Sequence, residues 1–234
     1  MARAWAVVPA AGSGRRMGAA VAKQYLPLRG RPLLSHALEP LLACARLDAV
    51  VLVVAGDDTR WRDIVPRDSR LLLAGGGALR RDSVMNGLER LAEVAAADDW
   101  VLVHDAARPC LSARELEALF EALADDPVGG LLAVPLADTL KSADDSGRVA
   151  ATVPRENLWR ALTPQMFRYG LLRRALAATV AAGIVVTDEA AAIEHAGHRP
   201  MLVPGRAANL KVTGPEDLAL AAAVLTAREE EPCA

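Results

Sequence analysis

The chain has 234 residues, 53% of them hydrophobic and 24% charged, with a formal net charge of -2 at pH 7. That length suits one α/β domain, and the interspersed charges exclude a basic face for duplex nucleic acid, so the expected ligands are small. Cys44, Cys110 and Cys233 are odd in number and far apart, which excludes a disulfide framework or zinc knuckle and fits a reducing compartment. With no secretory leader pattern and no apolar run near the roughly 18 residues that span a bilayer, a cytoplasmic protein without membrane contact is expected.

In chain order, the apolar residues 4–9 predict a strand, and the loop that follows carries Gly12, Gly14 and Gly18 with Arg16 and, further on, Lys23. A glycine-rich turn at the carboxyl end of a strand exposes several backbone N–H groups, and two cations beside it suit a polyphosphate. The spacing G-x-G-x-x-x-G is one residue too long for the dinucleotide fingerprint. Gly18 is followed by Ala19 and Ala20, where the NTPase loop needs Lys and a hydroxyl residue. Taken alone, such a turn equally suits tight packing; the paired cations favour phosphate.

The pattern then predicts a helix over 33–44, strands over 49–55 and 70–74, a helix over 83–96 and a strand over 100–104. A helix over 113–124 and a strand over 130–134 follow. This alternation implies a mostly parallel sheet covered by helices on both faces, with ligands at the carboxyl ends of its strands. The Gly12 loop and the segment His104 to Pro109 both fall at such ends and can share one cleft. The rhythm breaks at 137–158, where two short polar strands, 138–142 and 149–153, flank a turn at 143–147. A projecting hairpin is expected, and its scant apolar content cannot form a core alone, so it acts as a lid or as an arm against another subunit. Helices over 169–182 and 188–195, a strand over 199–203 and a last helix over 217–228 complete the chain, the last opened by Thr213 and Glu216 at capping-box spacing.

Val8 to Met17, Lys23-Gln24-Tyr25, Arg80-Arg81-Asp82-Ser83-Val84, His104 to Pro109, Asp138-Thr139-Leu140-Lys141, Thr163-Pro164-Gln165, Thr187-Asp188-Glu189-Ala190 and Asn209 to Thr213 occur in this order over nearly the whole chain. Together these segments closely resemble the 2-C-methyl-D-erythritol 4-phosphate cytidylyltransferase family. The resemblance implies a Rossmann-like three-layer α/β fold with a mostly parallel mixed sheet and a hairpin arm. It further implies transfer of CMP from CTP to methylerythritol phosphate by direct in-line attack, with Mg²⁺ held mainly by the CTP phosphates and no protein metal site. On this resemblance Arg16, Lys23, Arg155 and Lys211 are catalytic, and Ala10, Ala11, Gly12, Ser13, Gly14, Gly76, Gly77 and Ser83 bind CTP. Asp105, Arg108, Thr139, Thr163 and Thr187 bind the acceptor, and the arm at 137–158 forms a homodimer in which Thr139 and Arg155 serve the neighbouring cleft.

The chain departs from the family pattern at Ala22, Ala78, Leu79 and Ala207-Ala208, none of which removes a proposed catalytic group. Outside that resemblance, His104 reads as a packed core histidine and Asp188-Glu189 as a favourable helix start. Lys211 reads as a solvated lysine and Arg155 as a hairpin charge. Rival activities are cytidylyl transfer to another polyol phosphate, such as ribitol 5-phosphate, and a non-catalytic nucleotide-binding module that has lost its cations.

Overall fold

A computed structural model describes residues 2–12 and 21–230. Seven strands form the central sheet in the order β11-β7-β10-β6-β1-β4-β5. At its centre, β1 (Ala4–Pro9) lies parallel to β4 (Ala49–Val54) and to β6 (Trp100–Val103), and β5 (Leu71–Gly75) closes one edge. The unbroken apolar runs of β1, β4 and β6 follow from burial on both faces. Alternate side chains of β1 diverge: Ala6 and Val8 join Leu34, Leu38 and Leu41 of α1 (Leu33–Ala43) and Leu116 and Leu119 of α3 (Ala113–Ala122). Trp5 and Val7 face Val84 and Leu88 of α2 (Arg80–Arg90), Leu172 and Leu176 of α4 (Tyr169–Ala181) and Ile193 of α5 (Glu189–His195). These are the three layers expected.

The strand that makes the sheet mixed is β10 (Trp159–Arg168), antiparallel to both β6 and β7 (Gly129–Pro135), while β11 (Met201–Pro204) pairs parallel with β7 at the far edge. The sequence pattern predicts no strand at 159–168, and Pro164, which lacks an N–H, is unusual inside an interior strand. The structure accommodates it where the register against β7 shifts between Ala161 and Gln165. That irregularity has a consequence for the site, because Thr163 lies within it and turns its hydroxyl toward the end of β6.

Other boundaries differ for local reasons. Helix α2 starts three residues earlier than expected, since the Asp82 carboxylate accepts the Leu79 N–H at 3.0 Å, and it ends at Arg90 instead of near 96. At the start of α6 (Pro215–Glu230) the capping carboxylate is Asp217, not Glu216: its Oδ2 accepts from the Thr213 N–H, the Thr213 hydroxyl and the Gly214 N–H at 2.6–2.9 Å. A small hairpin of β2 (Pro27–Leu28) and β3 (Arg31–Pro32), unforeseen in the sequence, turns through Arg29 and Gly30, both at positive φ. Leu28, Leu33, Cys110, Val212 and Ala221 form a smaller core that seats α6 beside the loop after β6.

The hairpin expected at 137–158 is present as β8 (Leu140–Ala143) and β9 (Val149–Val153), a two-stranded sheet separate from the main one. Asp144 holds its turn by accepting from the N–H groups of Ser146 and Arg148 and from the Ser146 hydroxyl. None of the side chains from Leu140 to Val153 is buried within the protomer.

Candidate active site

A cleft of about 620 Å³ opens at the carboxyl ends of β1, β5 and β6. The parallel ladder continues into its floor: the Ala10 N–H donates to the Val53 carbonyl, the Gly76 N–H to that of Val54 and the His104 N–H to that of Val7. Ala10, Ala11 and Gly12 line one wall, and Gly77 and Ser83 also line the cleft. Gly76 sits directly behind that wall; a Cβ there would lie 2.2 Å from the Ala11 Cβ, so this approach of the two loops requires glycine. The Ser83 hydroxyl accepts from the Gly77 N–H at 3.0 Å and donates to the Leu79 carbonyl, fixing the loop that leads into α2.

Lys23 and Lys211 also line the cleft. Lys23 belongs to a single 3-10 turn, and its Nζ donates to the Val212 carbonyl at 2.7 Å, while the neighbouring Gln24 amide donates to the Ala10 carbonyl. The Val212 N–H in turn donates to the Ala107 carbonyl, which ties the Lys211 segment to the loop after β6.

Asp105 lies at the back of the cleft within a cage of cations. Lys211 Nζ stands 2.8 Å from Oδ2, Arg80 Nε donates to Oδ1 at 3.0 Å, and Arg108 Nε is 3.8 Å from Oδ2. Burial alone would push this carboxyl up, but the charges of Arg80, Lys211 and Arg108 together hold it well below the usual carboxylate range. It is therefore an ionised acceptor at neutral pH. Its backbone N–H donates to Thr163 Oγ1 at 3.1 Å.

His104 fits this network in one tautomer. Nε2 faces the Arg108 carbonyl at 3.1 Å and must carry the proton, so Nδ1 accepts from the Thr163 hydroxyl at 3.0 Å. Complete burial lowers its pKa to about 4 and keeps the ring neutral. It is a packed histidine that orients Thr163. Arg108 is buried behind Asp105 and donates to the carbonyls of Asn209 and Ala161.

The expected site residues thus divide into groups. Ala10, Ala11, Gly12, Lys23, Gly77, Ser83, Asp105 and Lys211 line one cleft, and Gly76, Arg108 and Thr163 support its walls. Thr139, Arg155 and Thr187 do not line it and are exposed; Arg155 donates to the Ala137 carbonyl at the base of the hairpin. Ser13, Gly14 and Arg16 lie outside the described residues.

Arg80, absent from the expected set, also lines the cleft. Besides Asp105 it binds Glu189 through both terminal nitrogens, at 2.7 and 3.1 Å. Glu189 begins α5, whose N-cap Asp188 accepts from the Ala191 N–H, so the favourable helix start expected from the sequence is present and its second acid has a further partner. Because the sequence pattern starts this helix at 83, only the structure reveals Arg80 in its first turn, the end where cations are disfavoured.

A family model described as 2-C-methyl-D-erythritol 4-phosphate cytidylyltransferase matches residues 4–227. A protein of that name from Dechloromonas aromatica is 58% identical over 232 residues, covering 98% of this chain and 100% of its own. Another from Pseudomonas putida is 56% identical, with 92% of each chain covered. Among solved structures, one described as 4-diphosphocytidyl-2C-methyl-D-erythritol synthase superposes with a TM-score of 0.84 at 38% identity, covering 96% of this chain and 99% of that one. The Francisella tularensis 2-C-methyl-D-erythritol 4-phosphate cytidylyltransferase superposes with a TM-score of 0.83 at 31% identity, covering 95% and 100%.

Proposed function

The chain belongs to the 2-C-methyl-D-erythritol 4-phosphate cytidylyltransferase family, and on that premise we propose that it transfers CMP from CTP to 2-C-methyl-D-erythritol 4-phosphate and releases pyrophosphate. The observation that carries this reading is the cleft itself: a glycine-rich strand end, two lysines and an ionised aspartate face one space at the carboxyl ends of the parallel strands.

An oxygen of the acceptor phosphate attacks the α-phosphorus of CTP in line, a P–O bond forms, and the bond to the β-phosphate breaks with the electron pair leaving on pyrophosphate. The attacking oxygen is already ionised, so the work is positioning and charge stabilisation. Lys23 and Arg16 stabilise the crowded α-phosphate and the leaving group, and the backbone from Ala10 to Gly14 holds the triphosphate. Gly76, Gly77 and Ser83 face the cytosine edge. Asp105 accepts from acceptor hydroxyls, with Thr163 and Arg108 behind it and Lys211 on the acceptor phosphate; Thr187 joins the acceptor contacts by the family resemblance.

Asp105 is engaged by Arg80 and Lys211, and among the described residues no three His, Cys, Asp or Glu side chains gather into a metal-binding group. The donors in the cleft thus fit an Mg²⁺ that would be held chiefly by the CTP phosphates with its own waters and would supply charge neutralisation on the leaving group. Because the hairpin holds Thr139 and Arg155 away from the cleft of its own protomer, the assembly we propose is a homodimer in which the 137–158 arms exchange these residues. Among the described residues no helix is long and apolar enough to cross a membrane. The cytoplasm is the proposed compartment, in keeping with the free, buried thiols of Cys44 and Cys110.

Nucleotide choice tests this reading. CTP is expected to exceed UTP in kcat/KM by about 10²-fold or more with saturating Mg²⁺, since a site that pairs one base edge leaves polar groups unpaired with the other. Equal values for the two nucleotides would overturn it.

A further inference from the structure

Arg80 is the first residue of α2, and the helix gains nothing from a cation there. Its placement follows from what it joins. One guanidinium reaches the loop after β6 through Asp105 and the start of α5 through Glu189, while the backbone just ahead of it runs into the Gly77 turn. Glu189 is 1% exposed and Arg80 is its bidentate partner, so the guanidinium plane is fixed before any ligand arrives.

Asp105 has two close cations, and they differ in freedom. Lys211 is 40% exposed on a flexible stem. In the function proposed above, it turns to the acceptor phosphate. Arg80 is clamped and cannot follow. We propose that Arg80 is a positioning residue of this site: held by Glu189, it keeps the Asp105 carboxylate oriented toward the acceptor hydroxyls once Lys211 has moved to the phosphate. The groups facing Asp105 are Arg80 from α2, Lys211 from the segment before α6, and Arg108 on its own loop, with Glu189 behind Arg80 and His104 neutral.

This inference rests on the proposed acceptor chemistry, and its test keeps the two apart. Pyrophosphate release by the unaltered enzyme with CTP and methylerythritol phosphate is measured first; its absence would sink the functional reading, and with it this one. Arg80→Met and Arg80→Lys are then compared. Loss of a charge-assisted contact to a substrate-binding carboxylate is expected to raise the acceptor KM about tenfold or more, with the CTP KM within about twofold. Lysine is expected to restore little, because a point charge cannot bind both carboxylates in one plane. Removing Arg80 also leaves Glu189 buried and unpaired, so Arg80→Met/Glu189→Gln, judged folded by circular dichroism and thermal melting, serves as the stable background.

A cycle with Asp105→Asn decides between the roles. If Arg80 acts through Asp105, its loss in the Asp105→Asn background adds less than about twofold. Additive losses, or equal rises in the KM values for CTP and acceptor, would show that Arg80 merely supports the fold and would overturn the proposal.

Discussion

Replacement of Lys23 by alanine is expected to lower kcat by about 10²-fold or more, with a far smaller effect on the thermal midpoint. The side chain is half-buried at the cleft wall, and its ammonium is held 2.7 Å from the Val212 carbonyl on the same segment as Lys211. A cation fixed there meets the charge that builds on the α-phosphate and the departing pyrophosphate. The core contacts of this turn are made by Tyr25, which the substitution leaves in place. Arg16→Ala is expected to match it in size, since Arg16 is the other cation that the family resemblance assigns to catalysis beside the Gly12 loop. Steady-state turnover of the purified variants checks both; near-normal kcat in the pair would contradict catalysis by charge stabilisation.

The second large effect concerns the arm. Mixing Arg155→Ala subunits with Lys23→Ala subunits is expected to restore activity that neither parent has. In the exchanged dimer, one cleft receives an intact Lys23 together with Arg155 of the partner subunit, and the other cleft lacks both. With random assembly, about half of the dimers are mixed and each has one working cleft, so roughly a quarter of normal activity should return. The motivation is structural: Arg155 is exposed and turned to the Ala137 carbonyl, and no side chain of β8 or β9 is fully buried in its own protomer. Mixed dimers that form but gain nothing over the parents would place Arg155 in the site of its own subunit.

Much of this fold is legible in the sequence because burial on both faces of β1, β4 and β6 forces long apolar runs, and because a glycine-rich turn flanked by two cations matches what a polyphosphate requires. Strand β10 is not legible. Pro164 argues against an interior strand, and only the pairing of distant residues with β6 and β7 outweighs it. The same irregular segment brings Thr163 to Asp105 and His104, contacts that span 58 and 59 positions and leave no local trace. Arg80 is hidden for a related reason. An arginine ahead of the expected helix at 83–96 carries no local mark of a partner until Glu189, 109 positions away, is seen against it. His104 is legible as a packed ring because it ends an apolar strand, whereas the roles of Arg155 and Thr139 come from resemblance alone.

The central claim is the identity of the acceptor, and it is tested by pyrophosphate release with CTP and a panel of polyol phosphates, the nucleotidyl product of each reaction being identified by mass. Methylerythritol phosphate is expected to give the highest kcat/KM and a single cytidine diphosphate ester, with ribitol phosphate a poor substrate and no pyrophosphate formed when the acceptor is omitted. Preference for ribitol phosphate over methylerythritol phosphate would contradict the account.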